Sequence, residues 1–421
     1  MRKKMSEYID NVTRRKETIK KILKELNAGR SVEDVRAEFG SLLEDADAPS
    51  ITEVEQMMIE DGTPPEEIQR LCDIHTAFFR DSLDKVHTPE SLPGHPIYTF
   101  RMENEAAEEV LSDLEAAVQG YAQKPDQKVI KVTHDFLKKL QGYEVHYLRK
   151  ENLLFPLLEK VGFYGPSRVM WGIHNEVRTA WKQLDAILSS ALESDKLPPA
   201  EQVLAIFEPL ATAIREMFYK EDKILFPSAL ERLNEQDWKA IRSQEDEIGF
   251  FLVTPGLDWP PGARQAVPQA ASVPQSTSDL SPVTSGLIPL STGELSPSQV
   301  NMMLRSLPVD VTFVDENDEV RYFSQTRDRI FQRSPAIIGR KVQNCHPPQS
   351  IGKVQQIVDD FRAGTRDFAE FWIQMGEKFV VIQYFAMRDS DGKYRGALEV
   401  SQDAGHLRSL EGERRLLDDG K

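Results

Sequence analysis

The sequence predicts a chain of class α plus α+β: an N-terminal helical segment, an antiparallel four-helix bundle, and a domain built on an antiparallel sheet. Three observations predict it. Apolar residues three and four positions apart run through residues 94–252, the period of buried helices. A Pro-, Ser- and Gln-rich stretch, WPPGARQAVPQAASVPQSTSDLSPVTSGLIPLSTG, then interrupts every pattern. Beyond residue 299 the apolar period becomes two, as in strands with one buried face.

Residues 1–88 read as short helices with clear starts. Ser31-Val-Glu-Asp34, Ser50-Ile-Thr-Glu53 and Thr63-Pro-Pro-Glu66 each place a hydroxyl three residues before an acid, so that side chains can satisfy free backbone N–H groups at a helix start. Residues 89–253 hold the bundle, with helices expected near 96–121, 127–160, 166–192 and 200–232 and breaks at Lys124-Pro125, Gly162 to Pro166 and Pro198-Pro199. An amphipathic piece, DWKAIRSQEDEIGFFL, is expected to cross one end.

Residues 254–298 are expected to form a disordered linker, because residues 259–293 carry only Arg264 and Asp279 as charges and no periodic apolar face. Residues 299–405 predict five strands: DVTFVDENDEVRYFS gives two around a tight turn at Glu316-Asn317-Asp318. A helical patch precedes FAEFWIQM, KFVVIQYFAMRD and YRGALEVSQD, and residues 406–421 form a tail.

Composition narrows the function. The 421 residues carry a net charge of −16, which disfavours nucleic acid as a partner of the whole chain. No apolar run approaches the roughly 18 residues of a membrane span. The start, MRKKMSEYIDN, has no apolar stretch after its basic residues, so no secretory signal is expected. Two cysteines make no disulfide framework. A cytoplasmic location is the expectation. The phosphate-binding GxxxxGK[ST], the GxGxxG turn after a strand and the GxSxG elbow are all missing from the sequence.

One stretch occurs twice. HYLRKENLLFPLLEK at residues 146–160 returns as FYKEDKILFPSALER at residues 218–232, and aligning Phe155-Pro156 with Phe226-Pro227 sets Glu151 against Asp222 at the same spacing (226 − 155 and 222 − 151 both equal 71). Core packing accounts for the Leu, Phe and Pro of both copies. It does not account for the histidines, among which His75, His95, His134, His146 and His174 fall around the bundle. Bundles build metal sites in their centres from imidazole and carboxylate on facing helices, a donor set suited to iron or zinc.

On these residues the segment resembles the hemerythrin-like HHE family: His95 opening the first helix, a His…Glu-x-x-x-Phe-Pro helix, His174 in the third, and acid-x-x-x-Phe-Pro in the fourth. The resemblance implies a non-haem iron pair inside the bundle, with candidate ligands His95, His146, Glu151, His174, Glu221, Asp222 and His134. The sequence departs from the family pattern, in which a His stands four residues before the Glu. Here Tyr147 precedes Glu151 at that distance, Phe218 precedes Asp222, and the fourth helix has no histidine. His146 lies five residues before Glu151, about 140° round an ideal helix, and a one-residue π-bulge would be needed to bring both onto one metal. The helical segment before the bundle resembles that of ScdA-like iron-centre repair proteins. Residues 300–405 resemble a PAS sensor domain through the sheet pattern, the acidic turn, IIGRKV and the closing LEVSQD.

Two cysteine–histidine pairs are further candidates. Cys72 and His75, in LCDIHTAFF, sit one turn apart and are a candidate redox-responsive thiol site; the simpler reading is a packed cysteine. Cys345 and His346 stand before two prolines and are candidate axial ligands of a haem in the PAS-like domain; the simpler reading is a turn. The leading functional expectation is a cytoplasmic sensor whose di-iron bundle responds to O₂, NO or redox state. A small gas or redox ligand would be its input, the PAS-like domain a second input and the means of homodimerisation, and an unidentified protein partner its output. Two alternatives stand beside it: a di-iron enzyme or iron–sulfur repair factor, and a metal-free interaction protein.

Overall fold

The structure, a computed structural model, describes residues 17–26, 28–39, 54, 56–58, 61–63, 92–194, 196–256, 259–260, 287–326, 329–346 and 348–412. Cys72 and His75 lie outside these, as do the expected helix starts at Ser50 and, beyond its first residue, Thr63. The chain divides into two compact units, Met1–Val267 and Pro268–Lys421.

The first unit opens with helix α1 (17–26) and α2 (Val32–Phe39). Ser31 Oγ accepts from the Asp34 N–H at 3.1 Å, the expected cap. Ile19, Ile22, Leu23, Leu26 and Val35 are buried and join the core of the bundle. The bundle begins at α3 (Pro96–Gln123), continues through α4 (Gln127–Gln141), α5 (Glu144–Arg149) and α6 (Phe155–Lys160), returns as α7 (Gly165–Ser194), and closes with α8 (Ala200–Lys220) and α9 (Phe226–Arg232). In turn α3 packs on α4, α4 on α7, α7 on α8, and α8 back on α3. This is the expected antiparallel four-helix arrangement, since α4 to α6 form one long element with a two-residue break at Gly142-Tyr143 and α8 and α9 form another.

Each of the two repeated stretches folds as a π-helical turn, Lys150–Leu154 and Glu221–Leu225. Proline is the cause. Pro156 and Pro227 have no N–H to donate four residues back, and their rings crowd the carbonyl there. The preceding residues therefore reach one residue further, Phe155 N–H to Lys150 O and Phe226 N–H to Glu221 O. The extra residue in each turn rotates the side chains on either side of it relative to one another.

Helix α10 (Glu235–Ile248) starts from a reciprocal cap between Asn234 and Asp237. It packs on α5, the first π turn and α3, across one end of the bundle as expected. The chain just beyond stays on the bundle. Trp259 donates its N–H to Pro93 O at 3.1 Å and its ring meets His95. The stretch read as linker is thus anchored at its start by one large aromatic residue that its composition hides.

In the second unit a short hairpin, β1 (Ile288–Leu290) and β2 (Gly293–Leu295), precedes α11 (Pro297–Ser306), capped by Ser296 and Gln299. The hairpin, too, falls inside the expected linker. The main sheet has five strands, β3 (Asp310–Asp315), β4 (Val320–Phe323), β5 (Phe368–Met375), β6 (Lys378–Arg388) and β7 (Tyr394–Asp403), in the order β4-β3-β7-β6-β5 with every pair antiparallel. The tight turn between β3 and β4 puts Asp318 at φ 65°, as an acidic turn residue allows. Helix α12 (Pro348–Ala363) contributes Val358 and Phe361 to two small cores against the sheet. Among the described residues no helix is long and apolar enough to cross a membrane.

Candidate functional site

A stripe of core positions along α3 carries Phe100, Ala107, Leu111 and Leu114, and through the middle of it pass Glu103 and Asn104. A carboxylate in such a place must be paired. Glu103, fully buried, takes the Phe251 N–H on Oε1 at 2.7 Å. Its Oε2 receives Arg149 and stands 2.9 Å from His146 Nδ1. The other nitrogen of His146 is 3.1 Å from Glu221 Oε2, which also accepts from Asn104 Nδ2 at 2.8 Å. A carboxylate oxygen thus stands at each nitrogen of the His146 imidazole.

The second imidazole is wired the other way. Lys150, wholly buried, donates from Nζ to His174 Nε2 at 3.0 Å and to Glu221 Oε1. His174 must therefore carry its proton on Nδ1, from which it donates to Glu151 Oε1 at 2.7 Å. Arg178 grips both oxygens of Glu151 at 2.9 and 3.0 Å and reaches Glu144 as well. Aromatic rings seal the network: Tyr147 stacks on His174 with centroids 4.1 Å apart, and Tyr143 on His146 at 4.5 Å.

Burial and charge set the protonation states. Burial alone would raise Glu221, but Lys150 and His146 beside it hold its carboxyl down at about 2. Burial, with help from Lys150 and Arg178, keeps the His174 imidazole neutral, well below its usual range. Burial also lowers Lys150 while Glu221 pulls the other way. It pushes Glu151 up to about 7 against the pull of Arg178.

The structure brings together His146, Glu151, His174 and Glu221 among the residues singled out in the sequence. It places the others elsewhere. His95 caps α3, its Nδ1 accepting the Ile97 N–H at 3.2 Å, and packs its ring 4.8 Å from those of Trp238 and Trp259. Burial lowers its pKa to about 4. His134 pairs with Asp185 at 2.8 Å on a part-exposed face. Asp222, more than a third exposed, accepts from Arg101 Nε at 3.0 Å. The π turn that would have brought Glu151 onto His146 is present, but it directs Glu151 to His174 and Arg178. Sequence reading missed Glu103, Asn104, Arg149, Lys150 and Arg178. For Glu103 the signal was available: an acid on the buried stripe of an otherwise apolar helix face.

This donor set does not fit the dinuclear iron centre that the resemblance implies. The facing oxygens of Glu103 and Glu221 and the nitrogens of His146 and His174 already hold protein partners. An ammonium and a guanidinium stand among them, where a metal pair would need carboxylates. Among the described residues no group of three or more His, Cys, Asp and Glu is placed to hold a metal ion.

Glu245 of α10 closes the network's far side. It is wholly buried, 3.5 Å from Arg149 Nη1, and its Oε2 has no hydrogen-bond partner among the described residues. Burial lifts it to about 7 despite Arg149 and Arg242. A carboxyl raised on folding contributes stability below its unfolded value near 4.5, and that contribution is lost as pH rises through 7. Glu245→Gln should remove this dependence. Between pH 5 and 8.5 the parent should lose about 2–3 kcal/mol that the variant keeps. Urea denaturation followed at 222 nm measures both, and identical pH slopes would refute the assignment.

The second unit holds a cleft, part of it open to solvent, between the sheet and α12. Val314, Val354, Ile357 and Ala397 make apolar walls. At its polar end Tyr384 donates to Glu399 Oε2 at 3.0 Å, and Arg333 Nη2 lies 3.7 Å from Glu399 Oε1. Arg333 Nε is buried without a hydrogen-bond partner among the described residues. Cys345 lines the cleft, and His346 donates from Nδ1 to Val342 O at 2.9 Å. Burial lowers the His346 pKa.

Comparison with known proteins matches three separate stretches of the chain. Residues 19–85 match a family of unknown function, DUF438; residues 95–229 match the hemerythrin HHE cation binding domain; residues 300–404 match a PAS domain. Among solved structures, the chain is similar to a C-terminal domain from Streptococcus mutans, with 35% identity over 30% of this chain and 98% of that one, at a TM-score of 0.29. It is also similar to the sensor region of a sensor histidine kinase, 15% identical over 24% of this chain and 40% of that one, TM-score 0.19. A third likeness is to a sensory box sensor histidine kinase from Vibrio cholerae, 10% identical over 25% and 89%, TM-score 0.20. A search of curated proteins finds no match. In chain order, then, the protein carries a DUF438 segment, a hemerythrin HHE cation binding domain and a PAS domain.

Proposed function

We propose that the chain is a sensory or regulatory protein whose input is a small organic molecule held in the cleft of its PAS domain. The observation that carries this reading is the cleft's construction: apolar walls, one polar end, and a buried Arg333 nitrogen with a donor to spare. Such a site suits a mostly apolar molecule with one acceptor head, a carboxylate or a carbonyl, taken by the guanidinium. The pairing of a PAS domain with a hemerythrin-type bundle supports a regulatory role over a metabolic one. Sensing of O₂, NO or redox state through bundle iron is the alternative, as are di-iron catalysis and iron-centre repair. All of them require metal where Lys150 now bonds His174 and Glu221.

Short- and medium-chain carboxylic acids are the probes. They should raise the melting temperature of the PAS domain in the full chain by ~2–5 °C at saturating concentration. Val354→Phe, which fills the cleft, and Arg333→Met, which removes the head-group donor, should each abolish the shift. Acids that leave the parent's melting unchanged, with native mass spectrometry finding no bound molecule, would sink the reading.

A further inference from the structure

We propose that this bundle carries its own cation: Lys150 stands at a ligand position, and its ammonium supplies the positive charge that a metal ion would supply. The internal repeat makes the case. Lys150 and Glu221 are 71 residues apart, the spacing of the repeat, and they bond directly to each other at the centre. At the same spacing Glu103 matches His174, and His146 matches Met217, which is wholly buried. Each repeat thus sends three residues inward, one in the first half of its first helix and two, four residues apart, before its Phe-Pro. Five of the six contributed groups are those a polar centre is built from: Glu103, His146, His174, Glu221 and Lys150. Four are imidazoles or carboxylates. Lys150 and Met217 are the two departures, one an ammonium where its counterpart is a carboxylate, the other a thioether where its counterpart is an imidazole.

The departure at Lys150 has a definite consequence. Glu103 and Glu221 are wholly buried carboxylates on facing helices, and buried carboxylates are tolerated only with compensating charge. A divalent cation is one source. The chain's own cations are the other, and they are used: Arg149 bonds Glu103, and Lys150 Nζ takes the inward lone pair of His174 Nε2 and an oxygen of Glu221, two of the atoms with which a metal would bond. Metal and ammonium are therefore mutually exclusive here. The cation is covalently attached and cannot be lost to a chelator. The cleft of the PAS domain plays no part in this.

The full chain and its Lys150→Glu variant should be incubated anaerobically with cobalt(II), desalted, and assayed for metal, visible absorption and melting temperature. The parent should retain no cobalt and melt at the same temperature with and without it. The variant gathers at least three carboxylates and two imidazoles with no internal cation. It should melt lower without metal, retain roughly one cobalt per chain, and regain ~5 °C or more on binding. A further His174→Ala change should abolish that uptake. Stoichiometric cobalt or iron(II) on the parent, lost in His174→Ala, would overturn the proposal. So would a folded Lys150→Glu protein indifferent to cobalt. If Lys150→Glu fails to fold even with cobalt, the parent's retention of iron(II) decides alone: retention overturns the proposal and its absence upholds it.

Discussion

Replacing Arg149 with methionine should cost the bundle about 3–5 kcal/mol, the range found when one partner of a buried charge network is removed. Arg149 is among the largest wholly buried side chains in the protein. Its guanidinium lies between two rings, 4.7 Å from the centroid of Phe100 and 4.6 Å from that of Phe250. It bonds Glu103 on one side and approaches Glu245 on the other. Methionine keeps the length and most of the packing, so the loss isolates the charge. Glu103 would keep the Phe251 N–H and His146, but Glu245 would be left with Arg242, 3.9 Å away, as its nearest cation. Domains are stable by about 5–15 kcal/mol in all, so this single change should bring the bundle close to unfolding at 25 °C.

Arg215→Met provides the contrast. Arg215 also bridges two carboxylates, Glu108 and Glu115, but all three side chains are more than a third exposed. Water and salt screen that arrangement, and its removal should cost under about 1 kcal/mol. Denaturant midpoints at unchanged m-value measure both. Equal losses would mean that the buried network stabilises no more than a surface one. Adding Glu245→Gln to Arg149→Met should recover part of the loss, because the two residues are coupled.

The contrast between these two arginines also explains what could be read from the sequence. Periodicity reports which face of a helix is apolar, and from it the four bundle helices, the crossing helix α10 and the five strands could all be placed. Caps such as Ser31 and turns such as Asn317-Asp318 act over three or four residues and are legible for that reason. The centre is a different kind of object. Lys150 and Glu151 are adjacent, and in sequence they look like a solvated charged pair; only the packing of α3, α7 and α8 against them makes both buried. The repeat is visible in the sequence, but at Glu151 and Asp222 its two copies diverge, one pointing to Arg178 and the other to Arg101. One residue earlier, the same spacing joins Lys150 to Glu221. The π turn, which fixes which of two adjacent residues faces inward, follows from Pro156, but its effect on aim cannot be seen without the helices around it. His95 shows the converse: a histidine at a helix start has a local use as a cap, and the structure gives it that use.

In the PAS domain the largest effect is expected from one methyl group. Gly396 lies in β7 at φ +136°, in the region that L side chains rarely adopt, opposite Asp315 of β3 and Met387 of β6. A Cβ there would stand 2.1 Å from Val314 O and 3.0 Å from Asp315 Cα, both backbone atoms of the neighbouring strand. Neither can turn aside as a side chain would, so Gly396→Ala must push β3 and β7 apart or force β7 into another backbone conformation. Either breaks pairing at the centre of a five-stranded sheet, at a cost of about 3 kcal/mol or more. Gly392 is the control: its φ is +78°, but none of the described residues lies within 4 Å of its missing Cβ, so Gly392→Ala should cost only about 1 kcal/mol. Hydrogen exchange of β3, β6 and β7 peptides reads the difference directly. Exchange should rise through all three strands in Gly396→Ala and stay near the parent level in Gly392→Ala. Because β7 also carries Ala397 and Glu399 into the cleft, the carboxylic-acid melting shift should disappear in Gly396→Ala and persist in Gly392→Ala. Matching exchange in the two variants would show that the strands can part there at no cost, and that the tight contact at Val314 is not what sets the register of the sheet.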